Sequence, residues 1–287
     1  MSCIAYITDS KMLELHRLNN HKTMNFWRLS NNVSFSDFSI GDLVFFLSKD
    51  REHSNKKEKG IVGFGRLKSI EISSVTKMWD KYGELNGYWN LEDFKTAIAK
   101  VSKDKKIPKK ISSFYLESVT FFQPLYLSEC GMNISNNVES YIYLDDEVSR
   151  KLLELSKDHS DLWSASENNT EIIDREILLR NLFETHKKIG DVSYNHKQEK
   201  AIKDRMNSLC EKGFYQHMNS SINEVYYLKD RYLEIVFYHD RKTDIKALIG
   251  QARLYAYHMS AYLDDNLTMV FKTSDDDEDL QYLLNRR

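Results

Sequence analysis

Only two prolines, Pro108 and Pro124, occur in 287 residues. That excludes a proline-rich linker or a polyproline recognition stretch. The three cysteines, Cys3, Cys130 and Cys210, are odd in number and far apart. They form neither a disulfide framework nor a CxxC-type zinc site, and they fit a reducing compartment. No apolar run approaches the roughly 18 residues needed to span a bilayer. The N-terminus has no charged segment leading into an apolar one, so the expectation is a soluble cytoplasmic protein with no membrane partner. A large excess of one charge is also missing: the formal net charge is −2. Net charge alone therefore announces no nucleic-acid partner.

The chain has 41% hydrophobic and 29% charged residues, the balance of a soluble globular protein. Its length favours two domains over one. Aromatics reach 12%, including 17 tyrosines, which can fill cores or supply stacking surfaces for bases. Charge is uneven. Residues 1–145 hold 20 basic against 17 acidic side chains, and the remainder holds 21 against 26, including the run DDDED at 275–279. Lysines cluster in KKEK at 56–59 and again in seven positions between Lys95 and Lys110. Such clusters are solvated faces or phosphate contacts.

Residues 1–145 read as β-rich. CIAYIT, DLVFFLS and GIVGFGRLKSIEIS are strand patterns, and SFYLESVTFFQPLYLS reads as a further pair. NLEDFKTAIAKVSK, with Phe94, Ile98 and Val101 at helical spacing, interrupts them. The expectation is a small mixed barrel with helical insertions. From about Asp146 the period changes: EVSRKLLELSKDH, EIIDREILLRNLFETHKKI and HKQEKAIKDRMNSLCEKGF are helical. NEVYYL and YLEIVFY follow as a hairpin across Lys229-Asp230-Arg231, then the helix KALIGQARLYAYHM and the strand LTMVFK. The order is αββαβ.

The phrases MNFWRLS, IGDLVFFLSKD, KGIVGFGRL and FFQPLYLSECG, with Trp79 between the last two, resemble the EVE branch of the PUA-like fold over about 145 residues. The resemblance implies a β-barrel pocket that accepts a flipped, often modified base. A base pocket needs flat walls and a few polar groups for the base edge. Trp27, Trp79, Trp89 and Phe46, with Tyr88, are wall candidates, although the same rings fit a core. Asn25, Ser30 and the backbone of Gly63, Phe64 and Gly65 are edge readers, and Arg28 with the lysine clusters is placed on phosphates.

The second half resembles the PD-(D/E)XK nuclease core. In that family two acids on neighbouring strands hold Mg²⁺ while a lysine helps stabilise charge on phosphate. The resemblance places Glu224 and Glu234 as metal ligands, Glu199 as an accessory acid and Gln251, ahead of Tyr255, on the helix beside the site. Asn223 is a weaker, uncharged alternative to Glu224. Val236 stands where the lysine belongs. Lys242, on the following loop, is the substitute expected to reach the site, since Lys246 lies about 140° around its helix from Gln251.

The fold expected is therefore α+β: a PUA-like barrel over residues 1–147, a helical linker or dimerisation segment over 148–190, and a PD-(D/E)XK-like domain with an αββαβ core over 191–287. The function expected is a Mg²⁺-dependent, modification-dependent DNA restriction endonuclease acting as a homodimer. The alternatives are a non-catalytic binder built on a decayed nuclease fold and a reader of modified RNA.

Overall fold

The computed structural model describes residues 3–29, 35–52, 58–132, 138, 140–159, 168–191, 198–218, 221–262 and 267–286. It divides into two compact units, Met1–Ile177 and Leu178–Arg287. Ser30, Lys56, Lys57 and residues 164–167 lie outside the described residues. No helix among the described residues is long and apolar enough to cross a membrane.

The first unit contains β1 (Cys3–Thr8), α1 (Ser10–Leu18), β2 (Met24–Arg28), β3 (Leu43–Glu52), β4 (Lys59–Ser73), α2 (Val75–Tyr82), α3 (Leu91–Val101), β5 (Ile111–Leu125), β6 (Tyr141–Leu144) and α4 (Asp146–Asp158). Its six strands run in the order β2-β5-β4-β3-β1-β6. Only the β1–β3 pairing is parallel. In a flat sheet β2 and β1 would stand about 19 Å apart, at ~4.8 Å per strand. Yet the rings of Tyr6 on β1 and Phe26 on β2 are 5.0 Å apart. The sheet therefore curls back on itself, as the barrel expectation required.

The bend is built into the two long strands. Pairing of β4 with β5 shifts register at three places, and Ser118 adopts a left-handed backbone (φ 54°). Such bulges add local twist and curvature. They also explain why SFYLESVTFFQPLYLS, expected as two strands, is one 15-residue strand: the bend falls inside a continuous ladder. Gly63 lies where β4 and β5 press together, and a Cβ there would fall on the carbonyl oxygen of Thr120.

One sheet face buries Cys3, Leu43, Phe45, Leu47, Phe64 and Leu144 against Val148, Leu152 and Leu153 of α4. Asp145 starts that helix by accepting from the Val148 N–H at 2.8 Å. Of the linker expected over 148–190, α4 and Ile173 are thus packed into the first unit. The division falls inside α5 (Asn168–Ile189). The other sheet face curls around Phe26, Phe46, Phe114 and Phe121. A third cluster packs Phe94 and Ile98 of α3 with Val75 and Met78 of α2 and Ile111 of β5.

The second unit continues from α5 through α6 (Glu199–Glu211), β7 (Gln216–His217), β8 (Glu224–Lys229), β9 (Tyr232–Phe237), α7 (Ile245–Met259), β10 (Thr268–Thr273) and α8 (Glu278–Asn285). The sheet order is β10-β9-β8-β7, with β9 and β10 parallel across the α7 connection. This reproduces the expected αββαβ order with the short β7 added. The acidic run is the start of α8. Asp277 caps it by accepting from the Leu280 N–H, and Glu278 and Asp279 fill its first turn, where negative charge meets the positive end of the helix dipole. At the helix's other end, the Asn285 amide bonds both the N–H and the carbonyl of Phe271 on β10, at 2.9 and 2.7 Å.

Candidate functional site

In the first unit, alternation along β2 splits the expected pocket residues between two faces. Asn25 and Trp27 face α2 and α3. The Trp27 ring lies 5.7 Å from Phe94 and 6.4 Å from Tyr88, and Trp79 reaches the same Phe94 at 6.0 Å. The Asn25 amide donates to Asn86 Oδ1 at 2.8 Å, and the Asn86 amide in turn donates to the Gly83 carbonyl at 2.8 Å. Asn25 Oδ1, Trp27 Nε1 and Ser113 Oγ are buried with no hydrogen-bond partner among the described residues. Ser113 is the register partner of Trp27, so all three atoms belong to one face of the β2–β5 pair. Buried polar atoms are usually satisfied. An acceptor, an N–H donor and a hydroxyl are thus left unpaired on one buried face beside aromatic rings.

Arg28 points the other way, into the curled interior. Its guanidinium carbon lies 4.8 Å from the Phe35 ring centre and 4.9 Å from that of Phe114, a cation–π nest. Burial pulls its pKa down, and the neighbouring Tyr6 and Tyr141 push it back up. Tyr6 and Tyr141 stack at 5.7 Å, and Tyr143 stands edge-on to Tyr141. The sequence reading passed over these tyrosines. Their signal was the period-two repeat of Tyr141-Ile142-Tyr143.

The remaining expected pocket residues separate. Phe46 is buried beside Phe121 in the interior cluster, and Phe64 is buried on the opposite face beside Phe45. Gly63 and Gly65 lie tight under β5. Trp89 is 59% exposed.

In the second unit, the last turns of α5, the start of β8 and the middle of α7 converge. Glu224 is fully buried and accepts from Tyr255 Oη at 2.6 Å and from Gln251 Nε2 at 3.0 Å. His186 Nδ1 lies 2.6 Å from Tyr255 Oη and 3.3 Å from Glu224 Oε2, while its Nε2 is 3.6 Å from Asp191 Oδ1. Burial disfavours a charged His186, but the hydrogen bond to Glu224 and the charges of Glu224 and Asp191 outweigh it and raise its pKa. Burial and the Glu224 charge push the Tyr255 phenol up, so it stays a donor. Gln251 also donates to the Gly190 carbonyl at 2.5 Å, and Ser221 Oγ donates to Asp191 at 2.5 Å. Ligand atoms of His186, Asp191 and Glu224 all lie within 4.8 Å of one another. One imidazole nitrogen and two carboxylates suit a divalent first-row metal.

The expected partner of Glu224 is elsewhere. Glu224 pairs in register with Phe237, and Glu234 pairs with Tyr227, three residues beyond Glu224 on β8. An odd offset puts Glu224 and Glu234 on opposite faces of the sheet, so the metal pair expected from the sequence does not form. On the Glu224 face, Ile235 and Phe237 stand beside it. On the other face, Glu234 accepts from Tyr215, from Tyr232 at 2.8 Å and from Lys272 at 2.8 Å. Burial would raise the Glu234 pKa, but these three donors lower it. Lys272 is the register partner of Val236, so a lysine does stand by Glu234, one strand away from where the pattern places it. Val236 itself is core, packed with Val225, Ile202 and Met206. Glu199 pairs with Lys203 on the surface of α6. Lys242 is exposed, and its backbone N–H is held by Asp240. Asn223 is buried, and its backbone N–H donates to Ser221 Oγ at 3.3 Å. His186 and Asp191 were missed because they precede the hairpin by more than 30 residues, and only the fold delivers them.

No family model and no curated protein matches the chain. Solved structures do resemble it. ASCH from Zymomonas mobilis is 15% identical with a TM-score of 0.38, over 54% of this chain and 95% of that one. Protein PSPTO5229 from Pseudomonas syringae is 16% identical with a TM-score of 0.31, over 54% and 99%. Likenesses this distant carry no inference about ligand or activity.

Proposed function

We propose that the chain is a modification-dependent DNA endonuclease. In this reading the first unit is a PUA-like, EVE-type reader of a flipped modified base. The second is a PD-(D/E)XK-like unit that hydrolyses phosphodiester bonds with a divalent cation. The observation carrying the proposal is the convergence of His186, Asp191 and Glu224 against the Gln251-x-x-x-Tyr255 face of α7. These three residues hold the metal in place of the Glu224–Glu234 pair. Their imidazole nitrogen favours Mn²⁺ over Mg²⁺. When bound, the metal supplies Lewis-acid polarisation of the phosphate and an acidified water. Tyr255 and Gln251 fix the Glu224 carboxylate, and Asp191, the most exposed of the three, offers the side open to substrate. Unmodified duplex is spared because the Asn25–Trp27–Ser113 face selects the base. Cutting both strands needs two sites, hence a homodimer.

The test incubates the full chain and Mn²⁺ or Mg²⁺ with matched duplexes carrying cytosine, 5-methylcytosine or 5-hydroxymethylcytosine. Cleavage confined to a modified duplex is expected, with loss in Glu224→Gln and retention in Glu234→Gln. Calorimetry should show one Mn²⁺ site per chain that His186→Ala removes. Mn²⁺ binding unchanged in both Glu224→Gln and His186→Ala would overturn the assignment.

A second reading is a non-catalytic reader of modified DNA or RNA. It is favoured by Ile235 and Phe237, which occupy the Glu224 face where a second acid and a lysine would otherwise stand. Selective binding of a modified strand without cleavage in either metal would select it.

A further inference from the structure

We infer that the lysine-rich segment from Lys100 to Lys110 is the phosphate-backbone docking surface of the first unit, and that its partner is a nucleic-acid strand. The inference rests on the proposed nucleic-acid reading and extends it to a surface outside the pocket. A lysine run is ordinarily a solvated face, and three observations lift this one above that.

The first is its charge balance in a chain of net charge −2. Five lysines elsewhere are paired, Lys68 with Glu117, Lys81 with Glu71, Lys157 with Asp174, Lys203 with Glu199 and Lys272 with Glu234, and exposed ones such as Lys187, Lys200 and Lys212 are spread far apart along the chain. Of the seven lysines between 95 and 110, only Lys95 has such a partner among the described residues, Glu92 at 2.9 Å. Lys100, Lys103, Lys105, Lys106, Lys109 and Lys110 are all exposed, and Asp104 is the one acid among them. Asp104 is turned to local work, accepting from Ser102 Oγ at 2.7 Å and from the Lys106 N–H at 3.1 Å.

The second observation is placement. Lys109 and Lys110 lead directly into β5, where Ser112 is the register partner of Arg28 and Ser113 of Trp27. The cations are thus delivered to the end of the β2–β5 pair that carries the unsatisfied base-edge atoms, within one or two nucleotide lengths of it along the strand. The third is conformation. Lys105 holds a left-handed backbone at φ 58° and donates its side chain to the Lys100 carbonyl at 2.9 Å. A lysine occupies a position that glycine or asparagine would fill at lower cost, and the turn projects its neighbours outward. Phosphates spaced along a strand fit such a row of point charges. Binding would release counterions, with log K falling by about 0.9 per contact for each decade of salt.

The experiment measures fluorescence anisotropy of the full chain with fluorescein-labelled 20-base-pair duplex, unmodified and 5-methylcytosine-containing, in EDTA at 50, 100 and 200 mM KCl. The variants are Lys103→Gln/Lys106→Gln/Lys109→Gln, the charge-matched control Lys187→Gln/Lys200→Gln/Lys212→Gln, and Trp27→Ala. The expected result is a salt slope shallower by about 2–3 in the first variant, with affinity at 100 mM at least tenfold lower on both duplexes. The control should keep the wild-type slope. Trp27→Ala should lose discrimination between the duplexes while keeping the slope. If no protein discriminates the duplexes but the slope change appears, the base reading fails and the docking surface stands. Equal slopes and affinities for the first variant and the control would overturn the surface. So would loss of binding to phosphatidylserine vesicles in the first variant with DNA affinity unchanged, which assigns the lysines to a membrane.

Discussion

At the scale of single residues, the buried histidine of α1 sets a pH dependence with a definite sign. His16 is fully buried, its Nδ1 3.0 Å from that of His21, and burial pushes its pKa down to about 3. The unfolded chain takes up that proton near pH 6.5 while the folded one does not. Its contribution to stability is therefore present above about 6.5 and is lost as pH falls towards 3. Between pH 7 and pH 5 the loss is about 2 kcal/mol. Asp42, raised to about 6 by burial, works in the opposite direction: its cost grows as pH rises from about 4 to 6. The clean readout is therefore the difference between wild type and His16→Gln. Urea unfolding at pH 7 and pH 5 should show the wild type losing more stability than the variant, and equal losses would refute the assignment. Sequence reading at this scale found Glu224, Gln251 and Tyr255, because a strand followed by a helix with that spacing is a local pattern. It misplaced Glu234, because the face an acid presents depends on hairpin register, and a turn one residue different would have reversed it.

At the scale of elements, most helices and strands were legible from period and caps. The exceptions share one cause, a break in local pattern that tertiary pairing overrides. β5 is a single strand because β4 continues its ladder across the Ser118 bend. The end of the acidic run became a helix start because Asp277 accepts from an exposed N–H group of α8. Gly63 tests the bend directly. A methyl group there meets the Thr120 backbone rather than a side chain that can turn away, so Gly63→Ala should destabilise the first unit by about 2–3 kcal/mol. Thermal unfolding of full-length Gly63→Ala against wild type reads this, and an unchanged midpoint would show that β4 and β5 separate without cost.

At the scale of the whole molecule, two units were foreseen from the change of period near Asp146, but their boundary was not. The amphipathic stripe of α4 reads equally well as linker, dimer face or core, and only the sheet it covers decides among them. Each unit carries its own hydrophobic clusters and its own candidate site, so the two proposed activities should separate by mutation. Trp27→Ala should abolish selectivity for a modified duplex and leave Mn²⁺ binding intact. Glu224→Gln should do the reverse, with both read on the same preparations by anisotropy and calorimetry.

The Asn285 amide, bonded to both backbone groups of Phe271, imitates a neighbouring strand one residue long. It occupies the open hydrogen-bonding row of β10, while the opposite margin of that sheet is the two-residue β7. A sheet closed in this way offers an incoming chain little to zip onto, so runaway fibre growth through backbone pairing is disfavoured. A partner pairing along β10 would have to displace Asn285 at Phe271, which favours side-chain contacts over an added strand there.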